Sequence, residues 1–312
     1  MSKVFMTYDE QIKKLTLEKG LIIKDENFAI ATLKRTSYYS LISGYKDVFK
    51  NSTTKKYRDG ICFEDILSLY EFDRTLRELF LSYILKIENQ IKSLMSYAFC
   101  NKYGENQSEY LQKTNYKYNG RKNQRDIDRL VKILERYVNH NNDYDYINHA
   151  RNTHNNVPLW VLMNALTFGN ISVMYSVWTQ DLKIKISSEY THINEKQMAQ
   201  LLRYLVRFRN VCAHGERLYS YRNMESIPDF PIHDKLLIAK TGNQYSYGKH
   251  DLFGVVIALK YMLPKKDFLL FKKALSNTLS HYFKTSHGIS QTDILESMGF
   301  PGNWCDITRY KN

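Results

Sequence analysis

Apolar residues along the chain recur every three to four positions, the spacing of one face of an α-helix, and almost nowhere alternate as a half-buried strand would. The strongest such stretch runs from Glu64 to Tyr103. It keeps Ile66, Leu69, Leu76, Leu79, Phe80, Tyr83, Ile84, Ile87, Ile91 and Leu94 in register and meets no Pro or Gly before Gly104. The pattern predicts one long helix or two nearly collinear ones. Upstream, Glu10 to Lys19 reads as a short amphipathic helix stopped by Gly20, and Asp25 as the cap of a second helix toward Leu33. Ser37 to Tyr45 gives a further turn or two, and Lys46 to Gly60 a loop or small hairpin around Asn51.

Downstream, Arg121 to Asn139 reads as a charged helix, and His140 to Val157 as an Asn/His/Asp/Tyr-rich connection with room for a turn of helix. From Asn152 to Gln180 there is no charged residue. Asn164, Thr167, Gly169, Asn170, Ser172 and Ser176 interrupt its apolar part, so two buried helices broken at the Gly-Asn pair fit better than one membrane span. Asn194 is placed to cap a helix running through Met198, Leu201, Leu202, Leu205, Phe208 and Cys212 to about Gly215. The pattern loosens around Pro228 and Pro231. Helices resume at Asp251 to Met262, Lys265 to Phe283 and Thr292 to Met298. The expectation is an all-α fold, with residues 1–225 as the main helical domain and 226–312 as a C-terminal helical extension packed on it.

Charge and composition narrow the partner. Lys and Arg total 45 against 32 Asp and Glu, a net charge of +13, which points to nucleic acid or an anionic membrane surface. The 25 tyrosines suit single-stranded nucleic acid, since bases stack on rings while cations follow phosphates, although tyrosine serves equally as packing. Met1 to Glu10 lacks the pattern of a signal peptide, and Cys62, Cys100, Cys212 and Cys305 are too far apart for metal-ligand spacing. The expectation is a cytoplasmic protein with free thiols, no cofactor or metal and no membrane contact.

One segment carries chemistry. Arg209-Asn210-Val211-Cys212-Ala213-His214 lies late on the helix capped by Asn194 and runs into Gly215 and the basic-aromatic stretch Arg217 to Arg222. Arg203, Arg207, Asn210, His214 and Arg217 follow one another at spacings of 4, 3, 4 and 3, and so share one stripe opposite the Leu/Phe face. Guanidiniums with an imidazole and an amide make an anion-binding surface with a proton carrier in it. RNA cleavage needs a base for the ribose 2′-OH, a cation for the phosphorane and an acid for the leaving oxygen; His and Arg supply these without a metal. Arg209 and His214, five residues apart, point about 140° apart on a regular helix, so a second copy of the chain would help complete a site. The same residues serve equally as a satisfied polar network pinning a helix end. Asp73 and Arg77 are expected to form an ordinary surface pair. Glu88 and Asn89, among apolar neighbours on that helix, have the option of orienting the site, although a buried hydrogen-bonded carboxylate is the commoner explanation, and Cys212 is expected to be core. His140, His149 and His154 show no metal geometry.

These residues resemble a known signature. Arg209 to Tyr219 looks like the HEPN ribonuclease motif as it occurs in the Abi-like (AbiD/AbiF) abortive-infection family. Gln11 to Ile23, Tyr38 to Tyr45, Tyr70 to Arg77 with Ile87-Glu88, Pro158 to Gly169 and Met298 to Trp304 resemble other blocks of that family, in the same order. The resemblance implies a HEPN-type helical bundle with added N- and C-terminal helices. It also implies a metal-independent endoribonuclease in anti-phage defence and a homodimer with a composite site. A small structured noncoding RNA is an implied partner besides the RNA substrate. In that reading Arg209, Asn210 and His214 are catalytic, and Arg203, Arg207, Arg217, Tyr219 and Arg222 bind RNA. The main alternative is a non-catalytic RNA-binding protein that holds a regulatory RNA.

Overall fold

The computed structural model describes residues 4–140, 143–286 and 288–310. Among them the fold is all-α, and the only strands are the two-residue pair Lys240–Thr241 and Gln244–Tyr245, antiparallel in register 240 to 245. The helices are α1 (Tyr8–Lys13), α2 (Glu26–Thr36), α3 (Phe63–Tyr103), α4 (Gln107–Leu111), α5 (Arg121–Asn139), α6 (Asp145–His154) and α7 (Leu159–Leu162). They continue as α8 (Phe168–Val177), α9 (Gln180–Ser187), α10 (Glu195–Ala213), α11 (Pro231–Lys235), α12 (Leu252–Met262), α13 (Lys265–Thr285) and α14 (Gln291–Met298).

The organising element is α3, one unbroken helix of 41 residues. Its apolar stripe, from Ile66 through Leu76, Phe80, Ile84 and Ile87 to Ile91 and Met95, is fully buried. Helices α7, α9, α10 and α13 pack along it, and α8 and α12 close over α10. Burying that stripe on several sides is what makes a helix of this length pay. Its ends are set locally. Asp65 accepts the Cys62 amide at 2.8 Å at the start, and Gly104, with φ +91°, stops the far end. The predicted cap of α2 is present, with Asp25 accepting the Phe28 amide at 3.0 Å, and α1 continues as a π turn (Lys14–Glu18) that ends before Gly20. No helix of the described residues is long and apolar enough to cross a membrane.

Two expectations change. The connection after α5 contains a ten-residue helix, α6, which buries Ile147 and Ala150 and ends at Asn155 in the left-handed conformation; positions 141 and 142 lie outside the described residues. The uncharged stretch breaks at Met163 to Leu166 rather than at Gly169-Asn170. Thr167 caps α8, and Asn170 closes a capping box with it, so the Gly-Asn pair sits inside the helix it was expected to interrupt.

Candidate functional site

Helix α10 is the element that presents the motif. Asn194 caps it, accepting the Lys196 and Gln197 amides at 3.0 and 2.9 Å. Leu201, Leu202, Leu205 and Phe208 bury its inner face between α3 and α8. On its outer face Arg203 and Arg207 are exposed, Asn210 is half-buried and His214 is exposed at the helix end, as the 4-3-4 spacing predicts. The helix stops there because Gly215 adopts φ +68°. The Glu216 amide then bonds Val211 O at 3.0 Å and the Gly215 amide bonds Cys212 O at 3.3 Å, the paired reversal that closes helices on a left-handed glycine. Arg217 therefore leaves the helix, and the stripe ends at His214.

Beyond the turn, the chain is fixed from below by α3. The carboxylate of Asp73, wholly buried, accepts the Leu218 amide at 2.9 Å, the Tyr219 amide at 2.7 Å, the Tyr45 hydroxyl at 2.7 Å and Arg77 Nη1 at 2.7 Å. Arg77 also donates to Glu216 O at 3.3 Å. Burial pushes the Asp73 carboxyl up, against the pull of its donors. Burial works to lower Arg77, yet Asp73 and Tyr45 hold it above its usual value. The expected surface pair Asp73–Arg77 is thus a buried clamp, holding the chain just beyond the turn that carries His214. Its burial comes from partners remote in sequence, which the spacing of four cannot register.

A second acid of α3 faces the motif. Glu88 is buried, takes Lys92 Nζ at 2.9 Å on one oxygen, and meets Arg209 Nε at 3.6 Å on the other. That second oxygen and Arg209 Nε are both buried without a hydrogen bond. The sequence offers Glu88 as an orienting group but not Lys92 beside it, although their spacing of four among Ile87 and Ile91 is the signal that marks the pair. Arg209, 29% exposed, turns toward α3, while Asn210 and His214 face outward. The angular offset expected from five residues of helix is therefore present. Among the described residues, no hydrogen bond or ion pair occupies the side chains of Arg207, Asn210 or His214.

The other candidate positions divide. Arg203 pairs with Glu225 at 2.9 Å and Arg217 donates to Gly44 O at 2.5 Å, both on the surface. Arg222 donates to Ser297 O at 2.9 Å and Glu296 O at 3.3 Å, capping the carbonyl end of α14. Tyr219 is a correction. Its ring is 2% exposed and stacks on Tyr45 with centroids 6.0 Å apart, so it packs in the core and offers no face to a base. Cys212 is core as expected, and burial pushes its thiol up to about 12. His149 and His154 pack edge to face against each other. Among the described residues, no group of three or more His, Cys, Asp or Glu could hold a metal ion.

A comparison with the curated proteins and with the solved structures finds no match. The family model described as Abi-like protein matches residues 31–220, from within α2 to just past the turn that follows α10. That span is more than half of the chain and includes α3, α10, the Asp73 clamp and the whole motif. The chain belongs to the Abi-like protein family.

Proposed function

We propose that this protein is a metal-independent HEPN-type endoribonuclease acting as an abortive-infection effector against phage. One observation carries the reading most: the exposed His214 imidazole and Arg207 guanidinium and the half-buried Asn210 amide line one face of α10 with no hydrogen-bond or ion-pair partner among the described residues, on a helix whose end is fixed by the hold of Asp73 and Arg77 on the chain just beyond it. Free polar groups fixed in place are what a phosphodiester-binding surface needs.

In this reading His214 takes the proton from a ribose 2′-OH as that oxygen bonds to the adjacent phosphorus. The P–O5′ bond then breaks, leaving a 2′,3′-cyclic phosphate and a 5′-hydroxyl that receives a proton. Arg209 contacts the phosphate and stabilises the phosphorane charge, Asn210 orients the reacting groups, and Arg203, Arg207 and Arg217 guide the strand. Since Arg209 and His214 diverge on one helix, the site is composite, with Arg209 of one copy meeting His214 of a second in a homodimer. Purified protein incubated with single-stranded RNA and EDTA is expected to cut, and His214→Ala to cut about 100-fold slower or less. Equal cutting by both would overturn the assignment.

The second reading, a non-catalytic protein that binds a small structured RNA, is favoured by the turn of Arg209 toward Glu88. It predicts one discrete co-purifying RNA and no cleavage products from the unaltered protein.

A further inference from the structure

Away from the motif, lysines gather around a cleft of about 450 Å³ beside α1 and the chain that follows α2. Lys14, Lys19, Lys46 and Lys50 line it together with Tyr38, Tyr39 and Tyr57, and among the described residues no acidic side chain does. On other surfaces Lys86, Lys92, Lys102, Lys113, Lys240 and Lys249 each have a carboxylate partner. Among the described residues the four cleft lysines have none. Lys14 Nζ rests 3.8 Å from the Met6 sulfur and Lys50 Nζ lies 5.2 Å from the centre of the Tyr57 ring. Burial, then Lys46 and Lys19, hold Lys50 below the usual lysine range, with Asp47 opposing and Lys55 adding to the effect. Glu18 and Asp47 act on the neighbouring Tyr38 and Tyr57, so acids stand near the rim while the lining stays cationic. Half-buried ammoniums that repel one another are stabilised by an anion carrying several charges.

Two features favour a strand over a compact anion. Tyr39, 72% exposed, presents a ring on the cleft wall where a base could stack. The cleft also runs toward the motif: Ser43 lines it, and the carbonyl of the next residue, Gly44, accepts Arg217, three residues beyond His214. Cationic groups therefore continue from His214 through Arg217 to Lys46.

We propose that this cleft is a phosphate-tracking subsite for single-stranded RNA, holding nucleotides of a strand whose other part crosses the outer face of α10. The placement of a reacting phosphate at His214 rests on the nuclease reading; the binding of RNA in the cleft does not.

The test uses the full chain carrying His214→Ala, so that binding is read without cutting, with a fluorescein-labelled oligouridylate followed by anisotropy across a range of KCl. Lys46→Ala/Lys50→Ala is expected to weaken binding about tenfold and to flatten the slope of log K against log salt by about 1.4, near 0.7 per lost phosphate contact on a single strand. Tyr39→Ala is expected to weaken binding about fivefold with the slope unchanged. The surface pair Lys122→Ala/Lys132→Ala on α5 removes the same charge and is expected to do neither. An equal loss in that control would reduce the effect to bulk charge and overturn the proposal. Displacement of the RNA by inorganic triphosphate at matched phosphate concentration would also overturn it, in favour of a compact-anion site. Failure of the unaltered protein to cut RNA would strike the nuclease reading alone and leave the salt slopes to decide the cleft.

Discussion

Helix α3 carries the same pair of charges twice, fifteen residues apart: Asp73 with Arg77, and Glu88 with Lys92. Both acids are buried, both have a cation one turn on, and both face α10 or the turn that follows it. They are satisfied very differently. Asp73 spends its two oxygens on four donors, two of them main-chain amides. Glu88 has one good partner, and its other oxygen stands 3.6 Å from an arginine that it does not hydrogen-bond. A fully bonded buried carboxylate fixes backbone, whereas a half-bonded one leaves its neighbour able to move. The first pair is a structural clamp, and the second holds Arg209 loosely at the edge of the proposed site.

The largest effect that would break this contrast is in stability. Asp73→Ala leaves Arg77 buried without its carboxylate and two main-chain amides unpaired. It is expected to cost about 3–5 kcal/mol in urea unfolding, and a loss below about 1 kcal/mol would show the clamp to be incidental. A third buried acid sharpens the point. Asp251 caps α12, accepting the Gly248 and Gly254 amides near 3.0 and 3.1 Å, and burial, against the pull of Arg222 and those amides, pushes its carboxyl up to about 6. Its folded value lies above the unfolded value of 3.8, so the native state binds more protons between the two. The stability it contributes is complete below about 3.8 and is lost as pH rises through about 6, by roughly 3 kcal/mol across the window. Unfolding free energies measured between those values should fall with pH, and Asp251→Asn should flatten the slope.

Glu88→Gln should separate the two pairs by kind as well as size. It is expected to cost about 1 kcal/mol of stability, yet to lower RNA cleavage about tenfold, by releasing Arg209. Unfolding and cutting assays on the same sample check both, and a loss confined to stability would return Glu88 to the structural role of Asp73. The smallest expected change is for Arg207→Ala, within about 0.5 kcal/mol in stability because its exposed side chain makes no hydrogen bond or ion pair among the described residues. RNA affinity should nonetheless fall and its salt slope lessen by about 0.7.

Periodicity made the helices readable because α3 and α10 each bury one continuous stripe, and caps such as Asn194 and Asp25 are chosen within four residues of the group they satisfy. α6 was hidden because only Ile147 and Ala150 mark its inner face among Asn and His residues. The α8 boundary was written in Thr167 and Asn170 as a capping box, but Gly169 inside it reads as a breaker. At the site, spacing alone located Arg207, Asn210 and His214 on one face. It could not register the burial of Asp73, whose partners lie 28 residues upstream and 145 and 146 residues downstream. Nor could it show that Tyr219 points inward, since the side its ring takes is decided by the hold of Asp73 on its amide.

The tight gap between α10 and α12 bears on how the motif helix is coupled to the C-terminal region. A side chain at Gly254 would run into the ring of Tyr204, whose hydroxyl donates to Asp251 O at 2.5 Å, and Asp251 in turn fills the space where a side chain on Gly299 would be. The motif helix, the cap of α12 and the loop after α14 therefore form one stack of close fits. A graft of α10 into another helical bundle would carry the six motif residues and leave behind the surface that seats them. What travels as a unit is the stack, including Asp251, Gly254 and Gly299, which lie beyond the span that identifies the family.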